Sequence, residues 1–124
     1  MDKTIGGIGW IEIGTPEPEV AERFYGGLFG WKFERDGDER VDYRELTTPG
    51  TQRPSGGILN HGGQAPNYAV FCVRVADVPA TLKQAESLGG TVIVPPTEGG
   101  NGLVFAHLTD PGGSQLAIYS APNE

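Results

Sequence analysis

The stretch RELTTPG, Arg44 to Gly50, returns almost unchanged as AHLTDPG, Ala106 to Gly112. Sliding the chain over itself by 60 positions also brings Ile13 onto Val73, Glu17 onto Asp77, Leu28 onto Leu88, Gly30 onto Gly90 and Ile58 onto Ile118. Around the opening phrase the offset becomes 62. The chain therefore reads as two half-length modules, residues 8–60 and 67–121, joined by the turn-rich HGGQAP. With 124 residues there is room for one domain, so both modules are expected to share a core.

Each module opens with a strand-like run, GWIEIG from Gly9 and YAVFCVRV from Tyr68. A helix follows. In the first module Thr15 is the expected N-cap, Pro16 the first helical residue, and Val20, Phe24 and Leu28 the inward stripe. In the second, Asp77 caps, Val78, Leu82, Ala85 and Leu88 face inward, and Gly89–Gly90 stop the helix. Three strand-like segments complete each copy: WKFER, VDYRELT and GGIL, then TVIVP, LVFAHLT and SQLAIYS. EGGNG before LVF reads as a hairpin loop, and FYGGLFGW as helix-face and strand-start core. The fold class is α+β: two βαβββ modules forming a curved mixed sheet around a cup, with helices on the outer face.

Alternation along a strand divides its side chains between two faces. The aliphatic set Val104, Ala106, Leu108, Leu116 and Ile118 suits helix packing, which leaves Phe105, His107 and Tyr119 for the open face. By the repeat, Tyr43 and Glu45 match Phe105 and His107. Trp10, Glu12, Val70, Cys72 and Arg74 take the same side from the opening strands. The expected lining is aromatic with a few polar groups, the usual make-up of a small-molecule pocket.

Charge and composition narrow the partners. The net charge is −7 and the nine basic residues do not cluster, so a nucleic acid or an anionic membrane lacks its electrostatic footprint. One cysteine, no leader-like start and no long apolar run make the cytoplasm the expected address.

The phrases TPEPEVAERFYGGLFGWKFE, VADVPATLKQAESLGGTVIVPP and HLTDPGGSQLAIYS, in this order, resemble the vicinal oxygen chelate superfamily. That group includes glyoxalase I, methylmalonyl-CoA epimerase, extradiol dioxygenases, fosfomycin-modifying enzymes and bleomycin-binding proteins. The resemblance implies a divalent metal held by His, Glu or Gln from the first and last strands of each module. Those places fall here on Trp10, Gly57, Val70 and Ala117, none of which can coordinate such a cation. The reading is therefore metal-free, with no cofactor. A substitute set of Glu12, Glu45 and His107 has the chemistry to suit zinc or iron. The resemblance also implies a homodimer.

Glu45 and His107 are repeat mates; they either face the cavity as an acid and an imidazole able to move a proton, or hydrogen-bond a turn at the sheet rim. Glu12, mid-strand among buried neighbours, needs a partner such as Arg74 or a raised pKa. Trp10 and Tyr119 either stack on a planar ligand or pack the core. Cys72 reads as a small apolar residue and His61 as a solvated turn residue.

Two functions compete. The first is a metal-free binding protein holding an apolar or aromatic metabolite or drug, lined by Trp10, Tyr43, Val70, Cys72, Arg74, Phe105 and Tyr119. The alternative is a metal-independent isomerase, lyase or cyclase using Glu12, Glu45 and His107 as acid and base. A metal-dependent glyoxalase-type lyase stands third.

Overall fold

The computed structural model describes residues 4–35, 37 and 41–122. They form two compact units, residues 10–69 and residues 4–9 with 70–122. Both are α+β, and each carries a mixed four-stranded sheet with one helix. The chain order is β1 (Ile8–Thr15), α1 (Pro18–Phe29), β2 (Lys32–Arg35), β3 (Tyr43–Thr47), β4 (Gly56–Asn60), then β5 (Tyr68–Arg74), α2 (Val78–Ser87), β6 (Thr91–Gly100), β7 (Leu103–Thr109) and β8 (Gln115–Ser120). This is βαβββ, twice.

Within the first unit the strands lie in the order β2-β3-β4-β1, with β1 and β4 parallel and the other pairs antiparallel. Within the second the order is β5-β8-β7-β6, with β5 and β8 parallel. The registers reproduce the sequence repeat. One row runs Glu12–Gly57–Glu45 across β1, β4 and β3, and its counterpart runs Cys72–Ala117–His107 across β5, β8 and β7. The repeated phrase, RELTTPG and AHLTDPG, is thus a strand and its exit turn. In the second copy Asp110 Oδ1 accepts from the backbone N–H of Gly112 and Ser114, at 2.9 Å each, and closes the β7–β8 hairpin.

Helix faces decide each core. In the first unit Ile13, Leu46 and Ile58 are buried against Ala21, Tyr25, Trp31 and Phe33. In the second, Val78 and Leu82 of α2 meet Ala106, Leu108 and Ile118, as alternation predicts. Asp77 caps α2, its carboxylate accepting from Ala80 N–H at 2.9 Å. The hairpin expected at EGGNG joins β6 to β7.

Four expectations need correction. α1 starts at Pro18 after Glu17, not at Pro16 after Thr15; the Thr15 hydroxyl instead accepts from Glu17 N–H at 3.1 Å. The stripe Val20, Phe24 and Leu28 points to solvent, each about half exposed or more. The sheet-facing residues Ala21 and Tyr25 sit one position further on, a rotation of about 100°. Arg44 supplies the reason: it is buried on the helix side of β3, and Glu19 and Glu22 must turn toward it, each at 2.8 Å. Of FYGGLFGW, only Tyr25 and Trp31 join that core, while Phe24, Leu28 and Phe29 are exposed. Leu88 is also exposed, because α2 ends at Ser87 and the helical period no longer applies.

Candidate functional site

The open face of the first unit carries a continuous hydrogen-bonded chain. Trp10 Nε1–H donates to the Tyr43 hydroxyl at 2.8 Å. An indole nitrogen only donates, so the Tyr43 oxygen accepts there and spends its own proton on Glu12 Oε1, 3.2 Å away. The Tyr68 hydroxyl donates to the second carboxylate oxygen, Oε2, at 2.6 Å. Both oxygens of a mid-strand carboxylate are thereby provided with phenolic donors. All four residues are half-buried.

Two glycines make the arrangement possible. A Cβ on Gly57 would fall inside the Tyr43 ring, and one on Gly14 inside the Tyr68 ring. The rings therefore cross directly over the sheet backbone at those points, a close approach open only to glycine. Gly57 stands between Glu12 and Glu45 in the register row. The Tyr43 ring consequently occupies the slot between the two carboxylates, whose strands are two apart, about 10 Å.

Glu45 itself is exposed. It borders a depression of about 480 Å³ with Lys32, Glu34, Thr47, Thr51 and Gln52 along its walls. Glu34 faces Glu45 directly across the antiparallel β2–β3 pair.

In the second unit His107 is buried, its Nδ1 3.2 Å from the side-chain amide nitrogen of Gln115 and its ring edge-on to Phe105. The register sets His107 beside Ala117, then Cys72, and sets Phe105 beside Tyr119, then Arg74. Arg74 is buried, donates to the Ala121 carbonyl at 2.8 Å and holds its guanidinium 6.0 Å from the centre of the Tyr119 ring. Val70 and Cys72 are buried. Glu12, expected to need a partner such as Arg74, accepts from the two tyrosines. His61 stands at the turn, where its Nδ1 accepts from Gly63 N–H at 3.1 Å and its Nε2 lies 3.0 Å from Asn67 Oδ1.

Tyr68 is the site residue that sequence reasoning missed. Tyr68 has the same parity as Val70, Cys72 and Arg74, so alternation extended by one step would have found it; its position at the very start of the strand concealed it.

A divalent cation of the kind the resemblance implies does not fit these residues. The Gly57 place is covered by Tyr43, the register pairs Gly57 with Glu12 and not with Trp10, and Trp10, Val70 and Ala117 offer no donor atom. Among the described residues no three of His, Cys, Asp and Glu gather in a way that could hold a metal.

Comparison with known proteins agrees with this architecture. The sequence profile of the Glyoxalase/Bleomycin resistance protein/Dioxygenase superfamily matches residues 7–118. The anthracycline biosynthesis protein DauV of Streptomyces sp. (strain C5) is 32% identical over 134 residues, covering 92% of this chain and 46% of that protein. The chain thus spans about half the length of this curated relative. A glyoxylase-like domain-containing protein of Didymella fabae is 32% identical over 132 residues and matches nearly end to end, 96% of this chain and 97% of the other. Among solved structures, a variant of the Streptomyces coelicolor methylmalonyl-CoA epimerase in complex with 2-nitronate-propionyl-CoA aligns with a TM-score of 0.63 at 16% identity, covering 97% of this chain and all of the other. A doubled βαβββ architecture and a profile match over nearly the whole chain lead to one conclusion: the chain belongs to the glyoxalase/bleomycin resistance protein/dioxygenase superfamily.

Proposed function

We propose that the chain is a metal-free small-molecule-binding protein that holds an apolar or aromatic metabolite or drug on the open face of its sheet. The observation that carries this reading is the tethered set Trp10–Tyr43–Glu12–Tyr68. Rings whose hydroxyl and N–H groups are already bonded to one another lose little freedom when a planar ligand stacks on them. The absence of metal-donor side chains at Trp10, Gly57, Val70 and Ala117 supports it from the other direction. The similarity to a protein named for anthracycline biosynthesis makes planar polycyclic compounds the first class to try.

The test is calorimetric titration of chelator-treated protein with a panel of planar aromatic compounds. A dissociation constant in the micromolar range, weakened at least about tenfold in Trp10→Ala and Tyr43→Ala, is expected. No binding tighter than about 1 mM across the panel overturns the reading.

A second reading rests on the 2.6 Å contact between the Tyr68 hydroxyl and Glu12: a carboxylate with phenols at both oxygens can accept and return a proton, as a metal-independent isomerase, lyase or cyclase would require. Turnover of a bound panel compound in chelator, lost in Glu12→Gln, is its signature.

Two further elements belong to the proposal. The exposed row Val20, Phe24, Leu28 and Phe29 on α1 supports assembly as a homodimer, which sedimentation tests directly. The single buried cysteine supports a cytoplasmic protein, and among the described residues no helix is long and apolar enough to cross a membrane.

A further inference from the structure

The proposed ligand face also carries a charge pattern, and the following inference rests on the binding reading above. Glu34 and Glu45 stand directly opposite each other across β2 and β3, on the face away from α1. Like charges in that position oppose sheet formation, and among the described residues neither glutamate has an ion-pair partner. Among the described residues Lys32 is the one cationic side chain on the walls of the 480 Å³ depression they border. In the same row, beyond the Tyr43 ring, lies the Glu12 carboxylate. The whole chain adds a net charge of −7.

We infer that this face selects its ligand by charge, admitting uncharged or cationic aromatic molecules and rejecting those bearing phosphate, sulfonate or carboxylate. A local arrangement that costs sheet stability without a structural return is where a functional constraint is expected. A surface on which one sign of charge is in excess lowers the local concentration of like-charged solutes. The inference separates this chain from its structural neighbour, which is seen with a coenzyme A derivative, a ligand rich in phosphate. The two proteins would share a backbone and differ in the sign of what they admit.

The potential can be read without any ligand. In a Trp31→Phe protein Trp10 is the single indole, and it lies on the same face, bonded to Tyr43 two residues from Glu45. At about 10 mM salt, caesium is expected to quench its fluorescence more efficiently than iodide, and Glu34→Gln with Glu45→Gln to raise the iodide-to-caesium ratio about twofold. An unchanged ratio overturns the inference.

Matched probes complete the test. An uncharged hydroxymethyl-anthraquinone is expected to bind at least about tenfold more tightly than anthraquinone sulfonate at low salt, with the gap narrowing several-fold at about 0.5 M salt and in the double variant. Equal affinities overturn the charge selection and leave the binding reading standing. If neither probe binds, the binding reading is the one that fails, and the quenching ratio still decides the charge of the face.

Discussion

The Tyr68 hydroxyl donates to Glu12 Oε2 at 2.6 Å, joining residues 56 positions apart in the chain. Tyr43 reaches the other oxygen of the same carboxylate and is itself held by Trp10. A polar group in the middle of β1 accepts in this way from side chains of two other parts of the sequence, one of them held in turn by Trp10, which makes the cluster sensitive to the loss of any member.

Removing the Tyr43 hydroxyl should show this. Tyr43→Phe leaves the Trp10 N–H and Glu12 Oε1 each without that partner and is expected to cost about 1–3 kcal/mol. Urea unfolding measures the loss, and a shift in tryptophan emission reports the altered indole environment. A variant as stable as the parent with unshifted emission contradicts the bonded chain.

The glycine beneath that ring should tolerate nothing larger. Gly57→Ala places a methyl inside the Tyr43 ring and is expected to destabilise by about 2–4 kcal/mol. Adding Tyr43→Ala should recover part of the loss. A double-mutant cycle with coupling near zero would show that the two positions do not meet.

Arg44 gives a pH signature. Its guanidinium bonds Glu19, Glu22 and Asp42, and Asp42 also accepts from the Asn60 amide at 3.1 Å. The Arg44 hydrogen bond lowers the Glu19 carboxyl below its ordinary value of 4.5. The Asn60 amide, followed by Arg44, lowers Asp42 below 3.8. A carboxyl depressed in the folded state contributes stability that is present above its unfolded value and is lost as pH falls through the folded one. The melting temperature should therefore drop steeply below about pH 4. Arg44→Gln should cost about 2 kcal/mol at neutral pH and flatten that acid limb. Parallel acid limbs in the two proteins would rule out the linkage.

The facing of α1 is testable by contrast. Ala21→Glu inserts a charge between helix and sheet and is expected to unfold the first unit or cost at least about 3 kcal/mol. Phe24→Glu changes an exposed residue and should stay within about 0.5 kcal/mol in the monomer. If the exposed row pairs two copies, the same substitution lowers the sedimentation coefficient.

Much of the fold was legible in local pattern, because a repeat, alternation and caps are statements about neighbours in sequence. Asp77 announced α2 through its own carboxylate, and Val104, Ala106 and Leu108 declared their face by spacing. The α1 stripe misled for a physical reason: Val20, Phe24 and Leu28 satisfy the helical period, yet the rotation of the helix is fixed by Arg44, a residue on another strand.

The amino-acid sequence alone determined the doubled βαβββ plan, through spacing, and, through residue type, the lack of donor side chains at Trp10, Gly57, Val70 and Ala117, the places that the resemblance implies for a metal. Only the tertiary structure decided what stands in their place. Tyr43 over Gly57 and Tyr68 over Gly14 depend on strand register and on rings crossing a backbone remote in sequence, and no periodicity encodes where two such distant atoms meet.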